Sequence, residues 1–69
     1  MFATRIKYLR QSAGINQVQL AEKLGVSKQS ISNWENDNIM PSIDMLVKIA
    51  DFFAVTTDYL LGRSIQEPS

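Results

Sequence analysis

Residues 16–36 read NQVQLAEKLGVSKQSISNWEN, and the fold follows from how that stretch divides. Asn16 has the short polar side chain that caps a helix. Gln19, three residues on, stands where a reciprocal bond back to the cap residue completes a capping box. These signals predict a helix over Gln17–Leu24. Gly25 follows the last apolar residue and takes the left-handed conformation that ends a helix at low cost. Ser27 then caps a second helix, roughly Lys28–Asn36, after a break of only three residues. Two helices joined so tightly cross at a steep angle, which is helix-turn-helix geometry.

The side chains divide accordingly. Leu20, Ala21 and Leu24 form one apolar stripe, with Ala21 small enough to admit the second helix. Ile31 and Trp34 make the buried side of that second helix at i, i+3 spacing. At about 100° per residue, Lys28, Gln29, Ser32 and Asn33 gather on the opposite face. Long or hydrogen-bonding polar side chains on an apolar base are what reading base edges in the major groove of duplex DNA requires. The plainer alternative is the wet face of an amphipathic helix.

Further helices flank the pair. Thr4–Ala13 reads as a first helix with Ile6, Leu9 and Ala13 buried, Phe2 packing at its start, and Gly14 ending it. After a loop, Asp37–Pro41, the Pro41-Ser42 pair announces a helix over about Ile43–Phe53, which buries Leu46, Ile49, Ala50 and Phe53, with Ile43 near its start. Val55 docks inward, Thr56 caps, and a short fifth helix runs to about Leu61 before Gly62. Residues 63–69 read as a frayed tail after a single domain over 1–62. The expected fold class is all-α, five short helices around one core.

Composition narrows the chemistry. A chain of 69 residues is one small domain, and 45% hydrophobic content suits a packed fold. Cysteine and histidine are both absent, which removes disulfides, thiolate metal sites, the usual general base and the commonest metal ligand. No activated nucleophile or acid–base pair is recognisable, so an enzyme is not expected, and neither is a metal or cofactor. With no membrane span and no signal-peptide core, a cytoplasmic location follows by default. Net charge is zero, but it is unevenly placed. Residues 1–36 hold Arg5, Lys7, Arg10, Lys23 and Lys28 against Glu22 and Glu35. Residues 37–69 hold Lys48 and Arg63 against Asp37, Asp44, Asp51, Asp58 and Glu67. The half with the motif is positive, as a surface meeting phosphates should be.

Residues 5–62 resemble the DNA-binding domains of lambdoid phage repressors and Cro proteins and their bacterial relatives, the Xre-type family. The resemblance is carried by Gln17, Leu20-Ala21, Gly25-Val26-Ser27, Ile31, Trp34-Glu35-Asn36, Pro41-Ser42 and Asp58-Tyr59-Leu60-Leu61-Gly62, in order and at the expected spacing. It implies a structural ion pair between Arg10 and Glu35, and phosphate contacts from Gln17 and Asn36. Asn36 is equally suited to a C-terminal cap, and Ser27 is first a cap and only secondarily a phosphate contact. The resemblance also implies a two-fold contact around the fifth helix, through Thr57, Tyr59 and Leu61, with Leu60 in the core. Two recognition helices would then lie about 34 Å apart over a pseudo-palindrome. One departure stands out: the loop Asp37-Asn38-Ile39-Met40 lacks the cations that many relatives place there, so a single copy should bind weakly.

The function expected is a Cro- or repressor-like transcriptional regulator of prokaryotic or phage type. Its expected partners are an operator in double-stranded DNA and, at least on DNA, a second copy of the chain. The alternative is a protein-interaction module: an antirepressor that binds a partner regulator, motivated by zero net charge and the uncharged Ile39-Met40 pair. An antitoxin is a further possibility, though the residues after Gly62 leave little room for a toxin-binding segment.

Overall fold

A computed structural model describes residues 1–63 of the chain. It holds five helices: α1 Phe2–Ser12, α2 Gln17–Leu24, α3 Lys28–Glu35, α4 Ile43–Phe53 and α5 Thr57–Leu61. No strand occurs among the described residues. Each helix supplies at least one fully buried aliphatic side chain to a single core: Ile6, Leu20 and Leu24, Ile31, Ile49, and Leu60. Phe2, Ala21, Trp34 and Ala50 close the gaps between them. No helix among the described residues is long and apolar enough to cross a membrane.

Polar caps set most of the boundaries. Asn16 accepts from the Gln19 N–H while Gln19 accepts from the Asn16 N–H, each at 2.8 Å, so these two donors at the head of α2 are satisfied. Ser27, Ser42 and Thr56 each accept from the N–H three residues on and start α3, α4 and α5. The turn between α2 and α3 rests on Gly25 at φ 74°, with the Val26 N–H returning 3.0 Å to the Ala21 carbonyl. Lys48 reaches across from α4 and donates to the Leu24 carbonyl at 2.9 Å. A cation there complements the negative end of the α2 dipole and ties α4 to the elbow of the motif.

Three expectations need correction. α1 begins at Phe2, not Thr4: no side chain caps it, and burying the Phe2 ring fixes its start instead. Ala13 is exposed, because it lies past the last helical turn as the chain swings through left-handed Gly14. α3 ends at Glu35, and Asn36 is its C-terminal cap residue. Ile43, at the start of α4, is 79% exposed, because at 100° per residue it lies about a third of a turn from Ile49, which marks the buried stripe of α4. Of the residues expected to fray, 64–69 lie outside the described set.

One helix end carries strain that the sequence does not announce. α4 terminates at Ala54 with φ 57°, a left-handed residue with a Cβ. That conformation costs an L-residue roughly 1–2 kcal/mol, and the greater freedom of glycine in the unfolded chain offsets part of any gain from removing it. Ala54→Gly should therefore stabilise the domain by about 0.5 kcal/mol, visible as a rise of roughly 2–4 °C in melting temperature. A fall would mean that the Ala54 methyl group contributes packing worth more than the strain.

Candidate nucleic-acid interface

α3 is held by its apolar side. Ile31 and Trp34 are buried, and the helix packs against both α1 and α2. Its other face therefore turns outward, with Lys28 and Gln29 exposed and Ser32 and Asn33 partly so. These side chains are not independent. Gln29 Nε2 donates to Asn33 Oδ1 at 3.1 Å, and three residues further along Asn36 Nδ2 donates to Ser32 Oγ at 3.3 Å. Both are i, i+4 pairs, so the outward face is laced by two parallel bonds. Ser27 is occupied in capping, and its hydroxyl also meets that of Ser30 at 3.1 Å.

Behind this face lies the ion pair. Arg10 Nε donates to Glu35 Oε2 at 2.6 Å and Arg10 Nη2 to Glu35 Oε1 at 3.0 Å, a bidentate arrangement. The side chains are only 11% and 3% exposed. The hydrogen bond to Glu35 raises the Arg10 pKa above its ordinary value, against the opposing effect of burial. Arg10 Nη1 also donates to the Ile15 carbonyl at 3.0 Å, so the guanidinium braces the turn before α2.

The sequence does not foretell where Gln17 goes. Its Nε2 donates to Glu35 Oε1 at 3.1 Å. Because a carboxylate only accepts, the amide nitrogen must face it. Gln17 keeps a second N–H free. The backbone N–H groups of Gln17 and Val18 precede the first intrahelical bond of α2, which runs from the Leu20 N–H to the Asn16 carbonyl. Glu35 thus joins α1, the head of α2 and the end of α3, three elements whose mutual placement decides how α3 and the N-terminus of α2 meet a surface together. The signal was present in the sequence only as a Gln and a Glu 18 residues apart.

The fifth-helix residues fare differently. Tyr59 is 5% exposed, not a surface residue, and the Arg5 guanidinium sits 4.2 Å above its ring. α5 is little more than one turn and is packed against both α1 and α4, so consecutive residues Tyr59 and Leu60 are both enclosed. Thr57 and Leu61 remain half-buried. After α3, Asp37 turns the chain at φ 60°, and the Asn38 N–H bonds the Asn33 carbonyl at 2.9 Å. Ile39 and Met40 beyond it stand 58% and 49% exposed. Among the described residues no group of His, Cys, Asp or Glu could hold a metal ion.

The arrangement matches known proteins throughout. A family profile described as Helix-turn-helix matches residues 6–60. The chain is 44% identical over 59 residues to the HTH-type transcriptional regulator ImmR of Bacillus subtilis (strain 168), covering 86% of this chain and 46% of that protein. It is 43% identical over 51 residues to the uncharacterized HTH-type transcriptional regulator MJ0272 of Methanocaldococcus jannaschii, covering 74% of this chain and 77% of that protein. The chain spans about half or less of the length of the first curated relatives it matches. Among solved structures, the P22 c2 repressor in complex with a synthetic operator superposes with a TM-score of 0.86 at 30% identity, over 93% of this chain and 97% of that one. Five helices around one core, with α2 and α3 as the motif, make this a lambda-repressor-like fold, and the chain belongs to the Helix-turn-helix family of DNA-binding transcription regulators, which are not enzymes.

Proposed function

We propose that the chain is a sequence-specific regulator that reads an operator half-site with α3 in the major groove. The observation that carries this reading is the outward polar face of Lys28, Gln29, Ser32 and Asn33 on a helix whose other side is locked into the core. Amides and hydroxyls there suit base edges, while the second N–H of Gln17 and the open N–H groups at the head of α2 suit a phosphate. Asn36 and, secondarily, Ser27 add polar groups at the two ends of α3. Such a protein acts in the cytoplasm, where the DNA is.

With zero net charge and no cation in the loop after α3, one copy neutralises few phosphates. Two copies on a pseudo-palindrome supply the missing affinity. Because Tyr59 is enclosed, the exposed apolar residues Ile39, Met40, Ile43 and Val47, with half-buried Thr57 and Leu61, are among the side chains available to bring two copies together.

The test is selection of bound duplexes from a randomised pool at low salt, followed by salt titration on the selected sequence. The expected result is a pseudo-palindrome with half-sites about one helical turn apart. Each neutralised phosphate contributes roughly −0.9 to the slope of log K against log salt, so a two-copy complex should show only about −2 to −5. The exposed segment 39–47 also favours a second reading, a module that binds a partner regulator. That reading predicts no enrichment from folded protein and a stable complex with the partner instead.

A further inference from the structure

We infer that Asp37 is an electrostatic brake on DNA binding: its carboxylate repels the phosphates beside α3 and lowers the affinity of each copy for every sequence alike. The inference rests on the operator-reading function proposed above and adds a residue that opposes binding. Asp37 closes α3. Its N–H bonds the Trp34 carbonyl at 3.3 Å, and the Asn38 N–H bonds the Asn33 carbonyl at 2.9 Å, a paired closure that sets a left-handed residue just past the helix. Glycine suits that position best, yet Asp37 holds it at φ 60°. The carboxylate also stands at the negative end of the α3 dipole, where a cation is favoured. Asp37 is exposed, and among the described residues no cation pairs with it. Asparagine visits the left-handed conformation as readily and carries no charge, so the fold does not require an acid here.

The charge acts where α3 meets DNA. Asn36, the residue before it, bonds Ser32 on the outward face at 3.3 Å, so the Asp37 Cα lies only about 3.8 Å of backbone beyond that face. A major groove is about 12 Å wide, so a charge at the end of a helix seated in it lies within about one Debye length of a phosphate at 0.1 M salt. Repulsion over roughly 7 Å, in surroundings close to water in dielectric constant, lowers affinity about two- to fivefold per copy at low salt. The factor enters once for each copy, so a pair on a pseudo-palindrome loses about 4- to 25-fold. Phosphates carry no sequence information, so the loss is common to all duplexes.

Two substitutions separate charge from strain. Asp37→Asn removes the charge and keeps the shape, whereas Asp37→Gly removes the charge and relieves the backbone. Affinities of the full chain and both variants are measured on the duplex selected above and on an unrelated duplex of equal length. Salt is varied from about 0.01 to 0.15 M, over which the Debye length falls from about 30 to 8 Å. Circular dichroism with thermal melting verifies that each variant is folded. The expected result is the same gain for both variants on both duplexes, about two- to fivefold per bound copy at the lowest salt and fading as salt rises. Base preferences from the selection should be unchanged. A gain that follows melting temperature and ignores salt would make Asp37 a structural residue and overturn the brake. Unchanged affinity at low salt, or a gain confined to the selected duplex, would overturn it as well, and each of these outcomes leaves the operator-reading function standing. No enrichment from the randomised pool by the chain or by either variant would overturn both.

Discussion

Replacing Ile31 by alanine should cost about 3 kcal/mol and leave the domain close to its unfolding threshold. Ile31 is fully buried on α3 and belongs to the cluster that includes Leu20 and Leu24. Truncating a buried isoleucine to alanine removes transfer free energy and leaves a cavity, typically about 2–5 kcal/mol. Native domains have roughly 0.05–0.15 kcal/mol of stability per residue, which for a chain this size is about 3–10 kcal/mol in total. The substitution should thus remove a third or more of the stability and lower the melting temperature by roughly 12–24 °C. Urea titration is the complementary measurement, with the midpoint falling and the slope unchanged. Ser32→Ala, one residue along but outward, should stay within about 0.5 kcal/mol. If the two substitutions cost the same, α3 does not use one face for packing and the other for recognition.

That contrast between neighbours also explains what could be read from the sequence. α2 and α4 have the boundaries that their caps imply, because Asn16, Gln19, Gly25 and Ser42 each satisfy a named backbone group within four residues. Local chemistry of this kind is written in the chain. α1 starts two residues earlier than its polarity suggests because a tertiary contact of Phe2, not a cap, fixes it. Ala54 ends α4 in a left-handed conformation that only the docking of Val55 behind it explains. The outward residues of α3 are legible as a set from helical periodicity. Their pairing is not, since whether Gln29 bonds Asn33 depends on rotamers that periodicity leaves open. Tyr59 is the clearest miss: the two-fold contact that the resemblance implies asks for a surface residue, whereas the ring is enclosed with Arg5, 54 positions away in the chain, lying over it.

Glu35→Ala should produce the second large loss, and a double substitution should separate its two components. Removing Glu35 leaves Arg10 Nε and Nη2 and Gln17 Nε2 without their acceptor. An arginine side chain only 11% exposed then carries an unpaired charge, and breaking such a pair costs about 3–5 kcal/mol. Arg10→Met together with Glu35→Leu removes both charges and fills the space with apolar volume. Replacing a buried ion pair in this way is often neutral or stabilising by about 1–4 kcal/mol. The Ile15 carbonyl, which loses its bond from Arg10, lies at a turn that is partly open and can take water in its place. Urea midpoints should therefore collapse for the single variant and recover for the double one. Affinity for the selected duplex should not recover in parallel, because Gln17 is released from Glu35 in both and must be reordered to meet a phosphate. A weak residual deficit of about 1 kcal/mol, close to fivefold in affinity, is expected in the double variant. If the double variant regains stability and affinity together, the Glu35–Gln17 bond has no part in placing α2 on DNA, and the ion pair serves the fold alone.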